Sequence, residues 1–166
     1  RLIKVLKLRQ VYKMADRTVA QNRKARHDYF IIETFECGIV LTGTEIKSVR
    51  EGKVHLKEGY ALIREGELWL TGVHISPYEK GSYYNHEPLR DRKLLMKRHE
   101  ILRLFSRVRE KGLTLVPLSV YIKDGKRAKV ELALVKGKQL FDKRDAIAER
   151  DVKRAMERAV RRDERD

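Results

Sequence analysis

Two pairs of β-rich segments, each joined by a short turn, constrain the fold of this chain more than any other feature. In the first pair, GYALIREGELWLTGVHI, the turn is expected at Glu65 and Gly66; in the second, LTLVPLSVYIKDGKRAKVELALV, Asp124 and Gly125 predict a two-residue turn. Pro117 has no N–H to donate, so it predicts a sheet edge or a bulge. One face of the first hairpin is expected to consist of Tyr60, Leu62, Leu68 and Leu70.

Three further segments complete the pattern of elements. DYFIIETFECGIVL predicts strands at residues 28–34 and 37–41, and TGTEIKSVREGK predicts a short helix at residues 44–51, capped by Thr42 or Thr44. RKLLMKRHEILRLFSRVREKG predicts a longer amphipathic helix, with an apolar face made of Leu94, Leu95, Ile101, Leu102, Phe105 and Val108. Without a regular alternation of strands and crossover helices, the chain is predicted to be mainly β: an OB-like antiparallel β-barrel of about six strands with two or three helices.

The chain length of 166 residues predicts one folded domain followed by a tail. The barrel domain is expected at residues 14–137 and the tail at residues 138–166. Residues 1–13 precede Met14 and are expected to be an upstream extension outside the fold. The tail has a thin apolar stripe among alternating charges, formed by Ile147, Val152, Met156 and Val160. Such a stripe buries too little area to offset the ordering entropy, so the tail is predicted to be helix-prone and disordered until bound.

Strong positive charge predicts a polyanionic partner. The formal net charge is +15 and the isoelectric point is near 10.0, which favours nucleic acid or an acidic membrane surface. No apolar run approaches the roughly 20 residues of a membrane span. Two basic clusters account for much of the charge: Arg17, Arg23, Lys24 and Arg26, then Lys80, Arg90, Arg92, Lys93, Lys97 and Arg98. A single cysteine, Cys37, predicts a reducing compartment, and so the cytoplasm.

The sequence favours binding over catalysis. The five histidines are scattered without metal-ligand spacing, and no phosphate-binding glycine loop or nucleophile motif is present. His27 and Asp28 are adjacent, but at the start of a strand they are expected to point to opposite faces. We therefore predict that the protein is not an enzyme and needs no cofactor or metal.

Planar and hydrogen-bonding side chains accompany both basic clusters, which favours RNA as the partner. Asn22 and His27 lie in the first cluster, and the loop before the second contains Tyr78, Tyr83, Tyr84, Asn85 and His86. Glu36 and Glu45 are harder to interpret, because they either pair internally, with Lys47 or Arg50, or accept hydrogen bonds from base amino groups. Two hypotheses are compatible with the residues alone: a general RNA-binding or ribosomal protein with an OB-like barrel, and an RNA-processing enzyme.

Several motifs in one order resemble a known family over about residues 20–145. NRKARHDYFI, GIVLTGTEIKSVREGKV, ISPYEKGSY, RDRKLLMKRHEI, KGLTLVPLSVY and AKVELALVKGKQLFDKR resemble the SsrA-binding protein family, also called small protein B. The resemblance implies an OB-like barrel with a disordered tail, and a monomer that binds the tRNA-like domain of tmRNA. It also implies support of tmRNA alanylation, delivery to stalled ribosomes, and indirect partnership with elongation factor Tu and alanyl-tRNA synthetase through tmRNA.

The resemblance also implies which residues bind RNA. The expected RNA-binding residues are Asn22, Lys24, Arg26, His27, Glu36, Glu45, Lys47, Arg92 and Lys93. The expected ribosome-binding residues of the tail are Gly137, Lys138, Phe141, Asp142, Lys143, Arg144 and Met156. In the family, the tail probes the decoding centre and the empty mRNA channel, and the rescued nascent peptide is tagged for degradation.

Overall fold

The main β-sheet closes on itself to form a barrel. The computed structural model describes residues 16–110 and 112–163, with the backbone alone at residues 82, 139–146, 162 and 163. Within these residues the strands are β1 (Arg17–Gln21), β2 (Tyr29–Ile39), β3 (Val54–His55), β4 (Tyr60–Arg64), β5 (Glu67–Thr71), β6 (His74–Ile75), β7 (Arg92–Leu95), β8 (Leu113–Lys123) and β9 (Arg127–Gly137). The helices are α1 (Arg23–Asp28), α2 (Gly43–Arg50), α3 (Arg98–Val108) and α4 (Lys138–Asp163), with a 3-10 turn at Ser82–Tyr84.

Six strands form the wall of the barrel in the order β8-β4-β5-β7-β2-β9, and antiparallel pairing of β9 with β8 closes it. Strand β1 pairs with β8 outside this ring, and β3 pairs with β6 in a separate small sheet. These findings confirm the mainly β, OB-like barrel of about six strands, with α1, α2 and α3 as its helices. The predicted extension at residues 1–13 lies outside the described residues.

Strands β8 and β9 are nearly continuous apolar runs because both of their faces are covered. Leu115 and Leu132 point into the barrel core and are at most 1% exposed. On the opposite face, Val116 and Ala133 pack under Ala25 of α1 in a second, smaller apolar cluster. A strand covered on both faces loses the usual alternation of polar and apolar residues. Helix α1 therefore packs against the wall of the barrel and covers the outer face of β8 and β9 there.

The first predicted hairpin is confirmed, but its inner face was predicted incorrectly. Glu65 and Gly66 form the turn, and both have positive φ, 53° and 74°. Tyr60 points outward and is 44% exposed, and Leu62 pairs with Trp69 on the same outer side. The inner face consists instead of Ala61, Ile63, Leu68 and Leu70. The register was hard to predict because Ala61, an inner residue, is small and only weakly apolar compared with the neighbouring Tyr60 and Leu62.

The second hairpin has a three-residue turn rather than the predicted two-residue turn. Lys123 pairs with Arg127, so residues 124–126 form the connection. Asp124 and Gly125 adopt positive φ, 52° and 68°, as the sequence pattern requires. The bulge that was predicted at Pro117 is confirmed, since the register of β8 shifts between Pro117 and Ser119.

The long amphipathic helix predicted from residue 92 is wrong in its first part. Residues Arg92–Leu95 form strand β7, which pairs with both β5 and β2, and the helix α3 begins only at Arg98. Leu94 is in the barrel core, whereas Leu102 is 55% exposed. A short strand and the following helix happened to place their apolar residues at helical spacing, and cross-strand pairing overrides that local pattern.

The N-terminal half also differs from the predicted strands. Residues 28–34 and 37–41 were predicted as two strands, but Tyr29–Ile39 is a single strand. The basic segment before it, Arg23–Asp28, is helical rather than the beginning of a strand.

Helix α2 is confirmed close to its predicted bounds. Thr42 caps its N-terminus, and Gly52, just past its end, has a φ of 75°.

Glu45 is buried in the fold and does not reach the surface. Its carboxylate is 0% exposed and pairs with Arg90, at 2.5 Å from Nη2, and with Nε of Arg92. It also accepts the N–H of Thr42 at 2.9 Å, which completes a capping box at the start of α2. Arg92 is 0% exposed as well, and donates to the carbonyl of Val73 at 2.8 Å. Both residues were predicted to bind RNA, and their burial places them instead in an internal ion-pair network.

Replacing Glu45 with Gln is expected to reduce the free energy of unfolding by about 3–5 kcal/mol, because it leaves the Arg92 guanidinium buried without a counter-ion. Burial alone would raise the pKa of Glu45, but the hydrogen bonds from Arg90, Thr42 and Arg92 lower it overall. The stabilisation is therefore complete above the unfolded-state pKa near 4.5 and disappears as the pH falls through the lower folded-state pKa. Denaturant unfolding at pH 7 and at several values below 4.5 measures both effects.

The matched control is Glu67→Gln, since Glu67 is a half-exposed carboxylate 2.7 Å from Nζ of Lys93. An exposed pair of this kind contributes about 0–1 kcal/mol. Equal losses of stability in E45Q and E67Q would contradict a structural role for the buried network.

Candidate nucleic-acid interface

Helix α1 explains why so much positive charge precedes a strand. Its inner residue Ala25 is 3% exposed and lies against β8 and β9. Arg23, Lys24, Arg26 and His27 consequently point away from the barrel and are exposed. Six residues of helix therefore present four nitrogen-bearing side chains on one small surface.

Asn22 holds this helix in place and is itself buried. It is 4% exposed, and its Oδ1 accepts the N–H of Ala25 at 3.0 Å as the helix N-cap. Its Nδ2 donates to the carbonyls of Leu56 at 3.2 Å and Pro117 at 3.0 Å, and its backbone N–H donates to Leu118 at 2.8 Å. Asn22 therefore satisfies the Pro117 carbonyl beside the bulge in β8 and the Leu56 carbonyl, which lies outside β8. The sequence predicted Asn22 as an RNA contact, whereas its polar side-chain atoms bond to the protein.

His27 and Asp28 do not point to opposite faces as predicted, because they end a helix rather than begin a strand. Nδ1 of His27 lies 3.0 Å from Oδ1 of Asp28. The imidazole side chain is 88% exposed, so the pair is freely hydrated. It orients the ring toward solvent, where a base or a phosphate oxygen can reach it.

The outer face of the β8–β9 hairpin continues the surface of α1. Alternate residues of these strands point outward, so Lys129 lies opposite Tyr121, and Glu131 lies opposite both Ser119 and Glu36 of β2. We call the outward side chains Glu36, Ser119, Tyr121, Lys123, Arg127, Lys129 and Glu131 the hairpin face. Nη2 of Arg26 lies 3.8 Å from Oε2 of Glu131, which connects α1 to this face.

Glu36 is an exposed carboxylate at the centre of the hairpin face. It accepts hydrogen bonds from the hydroxyl of Tyr121 at 2.5 Å and from Nζ of Lys123 at 2.7 Å. The bond from Lys123, followed by that from Tyr121, lowers the pKa of Glu36. Burial and the bond to Glu36 raise the pKa of Tyr121. Glu36 is therefore fixed in position and ionised at neutral pH, with its free lone pairs directed to solvent.

A concentration of positive charge surrounds the tip of the hairpin. The shallow cleft at this tip is lined by Lys123, Asp124, Lys126, Arg127 and Lys129. Arg50, at the end of α2, donates from Nη2 to the carbonyl of Lys126 at 3.4 Å and adds a further cation. The arrangement is suited to phosphate groups, since Lys and Arg side chains supply most contacts to a nucleic-acid backbone.

Sequence reasoning missed this part of the surface. Tyr121, Lys123, Arg127 and Lys129 recur at every second position around the turn, and that period identifies side chains on one face of a hairpin. The signal was present in the sequence, but only the basic clusters before β2 and in mid-chain were considered. Cross-strand register is what brings the later residues beside Glu36.

Two other predicted RNA-binding residues lie away from α1. Lys47 is exposed on α2, with Nζ 5.3 Å from the centre of the Tyr78 ring. Lys93 lies on β7, on the other side of β2 from β9, and pairs with Glu67 at 2.7 Å. Of the nine predicted RNA-binding residues, Lys24, Arg26 and His27 are exposed on α1 and Glu36 is on the hairpin face. Arg26 connects the two through Glu131, whereas Lys24 pairs with Glu58 at 3.6 Å.

The tail leaves the barrel beside α1. Gly137 ends β9 opposite Tyr29, and α4 begins at the next residue, Lys138, whose Nζ is 5.3 Å from the centre of the Phe30 ring. Met156 is 65% exposed, and every side chain described from residue 147 to 161 is exposed. The side chains of Phe141, Asp142, Lys143 and Arg144 lie outside those described. The predicted tail disorder stays a prediction.

Other kinds of site find little support in the part of the chain that the structure describes. Residues 16–110 and 112–163 contain no group of three or more metal-ligating side chains. No described helix is long and apolar enough to cross a membrane. Cys37 is fully buried, and this burial raises the pKa of its thiol to about 12, so it behaves as a small apolar side chain.

Comparison with known proteins identifies relatives that span the barrel and the tail. The SmpB protein family model matches residues 19–162. The SsrA-binding protein of Desulforudis audaxviator is 62% identical over 146 residues, which cover 88% of this chain and 95% of that protein. That of Moorella thermoacetica is 60% identical over 145 residues, covering 87% and 94% respectively.

A solved structure supports the same relationship. The chain in a study described as "tmRNA-SmpB: a journey to the center of the bacterial ribosome" is 54% identical, with a TM-score of 0.62. The match covers 72% of this chain and 83% of that one. Since α1, the hairpin face and most of the tail helix fall within the matched residues, the chain belongs to the SmpB family of SsrA-binding proteins.

Proposed function

We propose that this protein binds the tRNA-like domain of tmRNA through α1 and the hairpin face. The observation that carries the proposal is the continuous outer surface that joins Arg26 and His27 to Glu36 through the contact between Arg26 and Glu131. Membership of the SmpB family supports tmRNA binding in trans-translation and ribosome rescue as the function of the chain, and the choice of this surface is our proposal. The protein is an RNA-binding protein and not an enzyme.

Within this surface the residues have different proposed roles. Lys24, Arg26, Lys123 and Lys129 contact phosphates, and His27 stacks on or hydrogen-bonds a base. Glu36 accepts hydrogen bonds from base amino groups, which a phosphate-binding cation cannot do. Asn22, Glu45 and Arg92 act indirectly, because they hold α1, α2 and β7 in the fold. Lys47 and Lys93 are proposed to contact RNA outside the central surface.

The proposed division of the chain assigns RNA recognition to residues 14–137 and ribosome contacts to residues 138–166. Gly137 is the proposed junction, and Lys138, Phe141, Asp142, Lys143, Arg144 and Met156 are the proposed ribosome-binding residues of the tail. The tail is disordered in the free protein and becomes helical in the empty mRNA channel. The uninterrupted helix from Lys138 to Asp163 supports the helical state of the tail. The exposure of every described side chain from residue 147 to 161 supports disorder in the free protein, because no tertiary packing stabilises this part of the helix.

The proposed partners follow from this role. The protein acts as a monomer in the cytoplasm, where it accompanies tmRNA to stalled ribosomes and occupies the decoding centre. Elongation factor Tu and alanyl-tRNA synthetase are partners through the bound tmRNA, whose alanylation the protein supports. The outcome is rescue of the ribosome and tagging of the nascent peptide for degradation.

The proposed function predicts a preference for the tRNA-like domain that persists at high salt. The measurement is a titration of the protein against that domain, an ordinary tRNA and an unstructured RNA of equal length over a salt series. Binding by counterion release alone weakens steeply with salt and does not distinguish the three RNAs. Equal affinities that vanish together would instead indicate a general RNA-binding protein.

Matched variants test whether the exposed side chains of α1 are responsible for binding the tRNA-like domain. Replacing Arg26 and His27 with Ala is expected to weaken binding to the tRNA-like domain by about 1–3 kcal/mol, the range of charge-assisted and stacking contacts. The control is Arg154→Ala, which removes a positive charge from the tail helix and should leave the affinity unchanged. Equal losses in both would mean that net charge, rather than the surface of α1, determines binding.

Glu36→Gln is expected to reduce the preference for the tRNA-like domain while the free energy of unfolding changes by no more than about 1 kcal/mol, since its ion pair is exposed. The substitution raises the net positive charge. If Glu36 only balanced charge, affinity for all three RNAs would therefore rise together. Competition binding with the three RNAs distinguishes a loss of selectivity from a general gain of affinity.

Truncation after Lys138 is expected to leave tmRNA binding intact and to abolish tagging on stalled ribosomes. The barrel, α1 and the hairpin face all precede the cut, so the RNA surface remains complete. A reconstituted translation assay on a truncated mRNA measures tagging, and the RNA titration of the same variant is its internal control. Tagging at the rate of the full chain would refute a role for the tail.

A further inference from the structure

The loop between β6 and β7 carries two neighbouring tyrosines whose rings lie almost entirely in solvent. Tyr83 is 99% exposed and Tyr84 is 90% exposed. Aromatic rings stabilise a fold by removing apolar area from water, and these rings gain almost nothing of that kind in the free protein. Neither α1 nor the hairpin face accounts for them.

This loop is nevertheless firmly attached to the barrel. Asn85 closes it by accepting the N–H of Tyr78 at 2.9 Å and donating to the carbonyl of the same residue at 2.7 Å. His86 contacts Oγ1 of Thr44 through Nδ1 and the carbonyl of Ile75 through Nε2, both at 2.9 Å. A platform that is already ordered loses little conformational entropy when a partner binds.

Helix α2 connects the loop to the hairpin face. Its C-terminal residue Arg50 donates to the carbonyl of Lys126 at the hairpin tip, and Thr44, in its first turn, bonds to His86 of the loop. Lys47 is exposed three residues before Arg50, so both cations lie on the same side of the helix. The helix is about 12 Å long. Arg50 lies at its end near the hairpin tip, and Nζ of Lys47 lies 5.3 Å from the ring of Tyr78, where the loop begins.

We propose that the RNA bound to the hairpin face continues along α2, and that Tyr83 and Tyr84 stack on its unpaired bases. The inference rests on the proposed function, because the RNA concerned is the tRNA-like domain of tmRNA. Aromatic side chains accept any base as a stacking partner, and Lys47 and Arg50 neutralise the phosphates of the strand that leads to them.

The charges of the loop favour stacking on RNA over a protein contact. Glu79, Lys80 and Glu87 surround the tyrosines, and Lys and Glu are depleted from the cores of protein interfaces. These three charges sum to −1, so they add no phosphate attraction of their own. The contribution of the loop to RNA binding should therefore depend on ring area and hardly on salt concentration.

The test compares Tyr83→Ala/Tyr84→Ala with Tyr83→Phe/Tyr84→Phe in titrations against the tRNA-like domain over a salt series. The Ala variant is expected to bind about tenfold more weakly or worse, in keeping with the contribution of base stacking, and to keep the slope of log affinity against log salt. The Phe variant retains both rings and should bind within about twofold of the original chain. Lys47→Gln should reduce the slope by about one phosphate contact.

Leu89→Ala is the matched control, since Leu89 is a 56% exposed apolar residue of the same loop without a ring. Thermal unfolding of each variant checks the fold, and the single variants Tyr83→Ala and Tyr84→Ala replace the double variant if it unfolds. Unchanged affinity of the Ala variants for the tRNA-like domain would overturn the proposal. An equal loss of affinity in Leu89→Ala would overturn it as well. The proposed function has a separate test, which uses the unsubstituted chain alone. If that chain does not prefer the tRNA-like domain over the other RNAs, the proposed function is refuted.

Discussion

The pairing of β8 with β9 is the constraint on which the rest of the molecule depends. It closes the barrel, and its two faces bury different partners: the core of the barrel on one side and α1 on the other. The hairpin face is the exposed continuation of the same strands beyond α1. Strand β9 also leads directly into the tail at Gly137. One hairpin therefore sets the position of the proposed RNA surface and the origin of the tail relative to each other.

This arrangement assigns opposite tasks to two acidic residues that look alike in the sequence. Glu45 is buried and forms ion pairs with Arg90 and Arg92, so its charge is used to hold α2 against β7. Glu36 is exposed and shares its charge with one lysine and one tyrosine hydroxyl, so lone pairs remain available to a partner. Buried ion pairs are costly to desolvate, and their value lies in fixing one geometry. Here that geometry includes the loop of Tyr83 and Tyr84, since Arg92 also donates to the carbonyl of Pro88.

The barrel could be predicted from the sequence because its hairpins carry strong local turn signals. Asp124, Gly125, Glu65 and Gly66 require positive φ, and the structure has it at all four. What could not be predicted is decided by contacts distant in sequence. Leu94 fits a helical period and still enters the core, because β7 pairs with two strands far away in the chain. Glu45 and Asn22 are polar residues within basic surroundings, and only the fold shows that their partners are internal. Arg26 and His27 are exposed, as the sequence predicts, because they lie on a helix whose one buried residue is the small Ala25.

A surface that recognises one RNA must do more than attract phosphates, since a chain of charge +15 binds any RNA at low salt. Selectivity requires side chains whose interaction energies differ between one RNA and another. Such a side chain must be held in one position, because a flexible one can adjust to any partner. We propose that the hairpin face meets that requirement through Glu36 of β2, which Tyr121 and Lys123 of β8 fix from across β9. The proposed role of the tyrosine loop is different, because its rings accept any base as a stacking partner, while Asn85 and His86 anchor the backbone beneath them. We therefore propose that the cations of the hairpin face supply affinity and Glu36 supplies the choice of partner, while the tyrosine loop adds stacking that depends little on salt.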